Sequence, residues 1–355
     1  MIHESLKTSV CVWVWMVEYR ELGRSGIRVS AVGIGTWQWG SKIWGYSKTY
    51  SVDDLIEAFN KALELGLNFF DTAEIYGNGK SEEILGRCLR NVKREEVVIA
   101  TKFSPTRLTE NGVRKALESS LKRLGTSYVD LYQVHWPNPL VPMRNRMRVL
   151  EKLWSEGKIL AIGVSNFNLK QLVKARDSLS QTDIVSNQVE YNMLKRDIER
   201  DLLGYCLREK ITIVAYSPLA QGALTGKYSK MNKPTDLVRR SNPYFTSRKL
   251  ESIAPLLDIL RDISSRRGRT VTQIVLNWIL RWENTVPIPG IKSVSHVLDI
   301  AGSMGFRLND EELRMIEEKL NEAMLVNPSK LRHGVHLLRN YLSMIFYEKK
   351  GVKDR

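Results

Sequence analysis

Asn68-Phe-Phe-Asp71-Thr-Ala-Glu-Ile-Tyr76-Gly77 is a short apolar run that stops on a carboxylate and reaches a phenol five residues later. Two more runs end the same way: Val97-Val-Ile-Ala-Thr-Lys102 on an ammonium, and Val129-Asp-Leu-Tyr-Gln-Val-His135 on an imidazole. Lys102 follows Asp71 by 31 residues and His135 follows Lys102 by 33. Each interval is about one strand plus one returning helix, so consecutive parallel strands deliver these side chains to one rim.

Working outward, apolar strand candidates fall at Ala31–Thr36, Asn68–Thr72, Val97–Lys102, Val129–His135, Leu160–Ser165, Val185–Glu190, Ile211–Ser217 and Thr285–Pro289. Helix-period segments separate them. The first carries Leu55, Ala58, Phe59, Ala62 and Leu63 behind the capping sequence Ser51-Val-Asp-Asp54. Others cover Glu82–Leu89, Glu110–Leu124, Met143–Glu156, Leu169–Ala175, Arg196–Lys210 and Val271–Trp282. Strands this short and apolar are buried on both faces. Eight of them in strict alternation predict an α/β protein of the (β/α)8 TIM-barrel type. Glu18–Ser30, with its Gly-Arg-Ser-Gly turn, predicts a preceding β-hairpin. A doubly wound dinucleotide-binding sheet is disfavoured, because Gly33-Ile-Gly35-Thr-Trp-Gln38 has Gln38 where the third fingerprint glycine belongs. The longest connection, Gln221–Thr270, follows the seventh strand and holds Lys227, Lys230, Lys233, Arg239 and Arg240 before a helical piece at Arg248–Arg266. Long loops at the carboxyl rim of a barrel commonly hold ligands. A further helix is expected at Asp310–Leu320.

The chain has 355 residues, 43% hydrophobic and 26% charged, enough for a large core and far from the composition of disorder. Its net charge of +15 suits an anionic ligand. The basic residues are scattered, with no nucleic-acid-binding motif spacing, so no nucleic-acid partner is expected. Three distant cysteines, Cys11, Cys88 and Cys206, argue against a disulfide framework and for a reducing cytoplasm. No metal-binding cluster spacing and no bilayer-length apolar run occur, so neither a metal nor a membrane is expected.

The ends read differently from the middle. Val10–Val17 is apolar but short for a signal segment, and no small-residue cleavage site follows. Residues 1–15 are therefore expected to lie outside the fold as an extension, with the barrel spanning 16–328. Residues 329–355 form a basic tail, seven Lys/Arg against two Asp/Glu, in which Leu331, Val335, Leu338, Leu342 and Ile345 share one helical face. This tail is expected to pack over the barrel or against a second subunit.

Asp71, Tyr76, Lys102 and His135 together make a proton donor. A free phenol titrates near about 10, too high to share protons efficiently at neutral pH. An adjacent ammonium favours phenolate, a carboxylate holds that ammonium charged, and an imidazole can bond a carbonyl oxygen. Taken singly, Asp71 reads as a turn cap, Tyr76 as a packing residue, Lys102 as a solvated or Schiff-base lysine, and His135 as a core histidine. Their joint placement at one rim favours carbonyl reduction.

Eight segments in order carry a resemblance: Gly35-Thr-Trp-Gln-Trp-Gly40, Phe70-Asp-Thr-Ala-Glu-Ile-Tyr-Gly77, Ala100-Thr-Lys102, Val134-His-Trp-Pro137, Ile162-Gly-Val-Ser-Asn-Phe167, Asn187-Gln-Val-Glu-Tyr-Asn192, the stretch Ala215–Tyr228, and Ile288-Pro-Gly290. From about Glu18 to about Leu320 the chain resembles the aldo-keto reductases. The resemblance implies NADPH bound on a barrel, and a tetrad of Asp71, Tyr76, Lys102 and His135. By the same resemblance, Thr36, Trp37 and Asp71 lie near the cofactor, and Ser165, Asn166 and Gln188 bond the nicotinamide carboxamide. Tyr216 would stack on its ring. Ser217, Pro218 and Leu219, with Leu224 and Lys227, would wrap the pyrophosphate. Gly290, Lys292, Ser293 and His296 would meet the adenosine end.

That end departs from the family pattern. His296 stands where Gln or Arg is usual, Asp299 where Glu is, and Ile300 where Asn is. One amide contact to adenine is thereby lost, so NADP(H) is expected to be preferred with weakened discrimination against NAD(H). Trp39, Trp44 and Trp136 are expected to wall a pocket for a small carbonyl substrate. Two other readings stay open: a cofactor-sensing accessory subunit on the same fold, as potassium-channel β subunits are within this family, and a Schiff-base aldolase using Lys102. The aldolase reading leaves Gln188 and Tyr216 without a task.

Overall fold

The computed structural model of the chain describes residues 17–324. Strands β1 (Tyr19–Glu21) and β2 (Arg28–Ser30) form the expected antiparallel hairpin, with Arg20 opposite Val29. Eight parallel strands follow: β3 (Ile34–Gly35), β4 (Phe69–Asp71), β5 (Val98–Phe103), β6 (Val129–Val134), β7 (Ile159–Ser165), β8 (Ile184–Glu190), β9 (Thr212–Tyr216) and β10 (Thr285–Pro287). They lie side by side in chain order from β3 to β10. The sheet closes on itself where the Gly33 and Gly35 amides donate to the carbonyls of Pro287 and Pro289 at 2.9 and 3.0 Å.

The glycines of the first strand serve that closure. A Cβ on Gly33 would lie 2.5 Å from the Phe69 ring, and one on Gly35 would lie 2.9 Å from the Ile288 carbonyl oxygen. Two glycines that faintly resemble a phosphate-binding fingerprint are required here by strand approach.

Period-two alternation sorts the strand residues into layers inside the barrel. Phe69, Val98, Ala100, Leu131, Ala161, Val214 and Val286 pack as an apolar plug, sealed at one end by Leu22 and Val29 of the hairpin. The next inward positions on the same strands are Asp71, Lys102 and Gln133. The lumen therefore turns from apolar to charged within one layer. Outside the sheet, a larger core fills the space between strands and helices, with Phe59, Phe70, Leu85, Leu117, Tyr132, Leu150 and Ile162 buried in it. The hairpin is fastened by Arg20, which donates to the carbonyls of Trp282 and Leu280 at 2.6 and 2.8 Å. Gly23 donates its amide to Thr212 at 2.8 Å.

The helices also follow the sequence pattern. Val52–Glu64 begins with a reciprocal Ser51–Asp54 capping box. The segment expected as one helix over Arg196–Lys210 is two pieces, a 3₁₀ turn at Asp197–Arg200 and a helix at Leu202–Arg208. Asp201 separates them, because its side chain accepts the Leu202 amide at 2.6 Å and competes with the helix ladder. The long connection after β9 holds a 3₁₀ segment at Ala220–Thr225, short turns through Phe245, and the helix Ser247–Arg267. That helix packs with Asp310–Met324 over a second core that includes Leu257, Ile274, Trp278 and Ile316. The proposed extension 1–15 and tail 329–355 lie outside the described residues.

Gly23 has φ of 63°, and an added Cβ would sit 2.5 Å from the Val185 carbonyl oxygen. Gly125 has a similar φ of 68° with nothing within 4 Å. Urea unfolding should therefore show Gly23→Ala losing roughly 2–4 kcal/mol, against about 1 kcal/mol for Gly125→Ala. Equal losses would show that strain alone, without the hairpin's seat on β8, sets the penalty.

Candidate active site

Asp71 ends β4 and Lys102 is the penultimate residue of β5, and the strand register sets Asp71 beside Ala100. The two side chains point into the lumen and meet there, Lys102 Nζ to Asp71 Oδ1 at 2.6 Å, with both essentially inaccessible to water. Lys102 donates a second hydrogen to the Thr72 carbonyl at 2.7 Å and faces the Tyr76 hydroxyl at 3.4 Å. An ammonium has three hydrogens, and each of them has a designated acceptor. Tyr76 is brought back over Lys102 by a turn in which Gly77 and Asn78 both take positive φ, 57° and 56°. The turn is pinned from outside by Glu74, whose carboxylate accepts the Ser104 amide at 2.6 Å and Arg107 Nη2 at 2.8 Å. The His135 ring lies edge-on to Tyr76, centroids 5.7 Å apart. All four expected residues are thus brought together.

Asp71, Tyr76 and His135 line a cleft of about 620 Å³ at the carboxyl ends of the strands, with Lys102 fully buried beside them. Thr36, Trp37, Ser165, Asn166, Gln188, Tyr216, Ser217, Pro218, Leu219, Lys227, Gly290, Lys292 and His296 all line it. Ser165 donates to the Gln188 carbonyl at 2.9 Å, Asn166 to the His135 carbonyl at 3.1 Å, and the Tyr216 hydroxyl to Asn166 Oδ1 at 3.0 Å. Asn166 and Ser217 hold positive φ, 63° and 50°. Such backbone strain in non-glycine residues concentrates at ligand sites.

Three expected residues lie elsewhere. Leu224 is buried in the second core beneath its 3₁₀ segment, and the Ser293 hydroxyl is engaged with Ser295 and His296 Nδ1 at 2.9 and 3.3 Å. Trp39 corrects the expected aromatic wall: it is fully buried among the core residues, and its indole donates to the Ile291 carbonyl at 3.2 Å. Trp44 and Trp136 do line the cleft. Trp37 meets Trp44 edge-on at 5.0 Å.

Sequence reasoning missed several lining residues. Arg239 stacks on Trp44 at 5.0 Å and donates to the Gln221 carbonyl at 2.8 Å, bridging the long loop to the turn after β3. Glu190, Gln221 and Asn242 also face the cleft. For Arg239 the only signal was its place in a basic loop. Glu190 could have been found from period-two spacing, since it lies two positions beyond Gln188 on one strand.

Electrostatics divide the cleft. Burial pushes the Tyr76 phenol above its ordinary value, and the opposing pull of Lys102 does not overcome it. The expected net lowering by Lys102 is therefore outweighed by desolvation, and the phenol holds its proton. Burial acts to lower Lys102, but the Asp71 carboxylate and the Tyr76 oxygen together more than offset this and hold the ammonium charged. Burial, with Lys102 adding repulsion, holds His135 well below its ordinary value, so it is a neutral imidazole. Elsewhere in the cleft, burial and the neighbouring Arg239 bring Lys292 down to about 8. The depressed His135 has a consequence for stability. Below about pH 6.5 the unfolded chain binds a proton that native His135 refuses, so stability falls as pH drops, by up to about 1.4 kcal/mol per pH unit. His135→Gln should remove that component from the pH dependence of urea unfolding; an unchanged slope would show that His135 is not held neutral.

Comparison with known proteins agrees with this geometry. The model of the Aldo/keto reductase family matches residues 31–321. The chloroplastic pyridoxal reductase of Arabidopsis thaliana is 38% identical over 322 residues, covering 85% of this chain and 86% of that protein. A glycerol dehydrogenase structure from Gluconobacter oxydans superposes with a TM-score of 0.76 at 31% identity, covering 85% of this chain and 94% of that one. An aldo-keto reductase from Klebsiella pneumoniae, solved in complex with NADPH, gives 0.68 at 29% identity, covering 85% and 95%. With a closed eight-stranded barrel, an Asp-Tyr-Lys-His cluster at its rim and a family match over most of its length, the chain belongs to the aldo/keto reductase family of oxidoreductases.

Proposed function

We propose that the protein reduces aldehydes or ketones to alcohols with NADPH, Tyr76 serving as the general acid. The observation that carries this reading is the allotment of the Lys102 hydrogens. One goes to Asp71, one to a backbone carbonyl, and the third faces the Tyr76 oxygen where charge develops as the phenol gives up its proton. NADPH, when bound, supplies the hydride.

The residues present fit that cofactor. Lys227, Arg239 and Lys292 bring three cations to the cleft for an anion, while Gln188, Asn166 and Ser165 offer amide and hydroxyl groups beside the tetrad. Tyr216 gives an aromatic face between them. The substrate carbonyl oxygen would lie between Tyr76 and His135. Neutral His135 holds one N–H, enough to fix that oxygen while Tyr76 delivers the proton. Lys102 then faces the phenolate, and solvent protons restore it. Trp37, Trp44 and Trp136 around this point suit a carbonyl compound with a flat apolar body. A relative that carries the name pyridoxal reductase makes aromatic aldehydes the first compounds to assay.

Tyr76→Phe should lower kcat by about 10²–10⁴-fold and leave the NADPH Kd nearly unchanged, measured by fluorescence titration and steady-state turnover. Full turnover in that variant would remove Tyr76 from the acid role. Cofactor choice has a separate test in Lys292. A lysine titrating near 8 loses its charge above that pH, so NADPH should bind less tightly as pH rises through about 8. NADH, lacking the 2′-phosphate, should bind with a flat profile, and Lys292→Met should flatten that of NADPH. Parallel profiles for the two cofactors in the parent protein would separate Lys292 from phosphate recognition.

A further inference from the structure

Gln133 stands on β6 two positions beyond the apolar plug residue Leu131, and it is fully buried in the lumen beneath the cleft. Its amide donates to Asp71 Oδ2 at 3.2 Å. Gln188 donates to the same oxygen at 2.7 Å and faces Gln133 Oε1 at 3.5 Å. A carboxylate only accepts, so both amides must turn their nitrogen toward Asp71. The two oxygens of Asp71 are thereby divided: Oδ1 takes the ammonium, Oδ2 takes two amides. Both hydrogens of the Gln188 amide are engaged, which leaves its Oε1 as the polar atom it can offer the cleft.

We propose that Gln133 is a positioning residue for the reaction, clamping Asp71 so that Lys102 keeps one hydrogen for Tyr76. Without Gln133, Oδ2 keeps only the Gln188 amide, itself no longer held through Gln133 Oε1, and can turn toward Lys102 to draw the hydrogen that faces the phenol. The strands are built to admit this side chain. Gln133 pairs with Gly163 on β7, and a Cβ at Gly163 would lie 2.9 Å from Gln133 Cγ. The missing Cβ leaves room for Gln133 together with Ser186 and Leu131, whose atoms would lie 2.6 and 3.0 Å away. This inference rests on the reading that Tyr76 delivers the proton.

Gln133→Leu should lower kcat roughly ten- to a hundredfold while the NADPH Kd, read by fluorescence in the absence of substrate, stays within a factor of about three. Gln133→Glu gives a distinct signature and barely changes shape. Protonated, its O–H can still donate to Asp71; ionised, it repels. Its kcat should follow the parent protein at low pH and fall as pH rises through the titration of the new carboxyl, a limb the parent lacks. Overlaid profiles, with an unchanged kcat in Gln133→Leu, would overturn the clamp and leave Gln133 as packing. If Gln133→Leu does not fold, the Gln133→Glu profile decides. If the parent protein turns over no carbonyl compound, the proposed reaction fails, and the clamp is then judged by unfolding of the cofactor-free protein. There Gln133→Glu should lose stability as pH rises, and lose less in total when combined with Asp71→Asn. Equal total losses in the two backgrounds would overturn it.

Discussion

A buried ion pair governs this site. Lys102 and Asp71 lie in the barrel lumen with essentially no water contact, 2.6 Å apart. Two charges removed from water are costly unless their remaining hydrogens and lone pairs are satisfied. Much of the upper barrel can be understood as meeting that condition: the Thr72 carbonyl, the Tyr76 hydroxyl and the amides of Gln133 and Gln188 all converge on the pair. The same contacts that make the pair tolerable also leave one ammonium hydrogen directed at the phenol. Burial cost and chemistry are met by one arrangement.

The barrel supplies what a loop-borne site would lack. Four strands, the neighbours β4, β5 and β6 together with β8 beyond β7, each contribute one inward side chain above the apolar plug, so strand register holds their spacing. The closing contacts of the β3 segment with the end of β10 and the residues after it fix the other edge, and they require the glycines at 33 and 35. Away from the tetrad, the cleft is basic, with Lys227, Arg239 and Lys292 along its walls. The cleft thus combines a group arranged for proton transfer with cations suited to an anion.

The tetrad and the eight strands were legible because both are local signals. An apolar run ending in Asp, Lys or His places that residue at a rim without knowledge of any partner. Contacts across the fold were less legible. The burial of Trp39 is not legible, because an aromatic-rich stretch does not reveal which tryptophan faces the core. Arg239 lies deep in the long loop, and its stacking on Trp44 depends on how two distant segments meet. The helix over 196–210 was drawn as continuous because periodicity does not register a side chain such as Asp201 capping from within. The direction of the Tyr76 shift was missed for a related reason, since counting neighbouring charges omits the cost of desolvating the phenolate. The contact of the Gln133 amide is not legible in the sequence, because its partner Asp71 is 62 residues away.

The most direct measurement is a single-turnover experiment. Purified protein loaded with NADPH is mixed with a panel of aromatic and aliphatic aldehydes, and loss of reduced nicotinamide is followed alongside alcohol formation. Rapid oxidation of bound cofactor with one equivalent of alcohol, for at least one aromatic aldehyde, is the expected result. Tight NADPH binding with no oxidation across the panel would contradict a reductase and leave the assembled tetrad without its reaction.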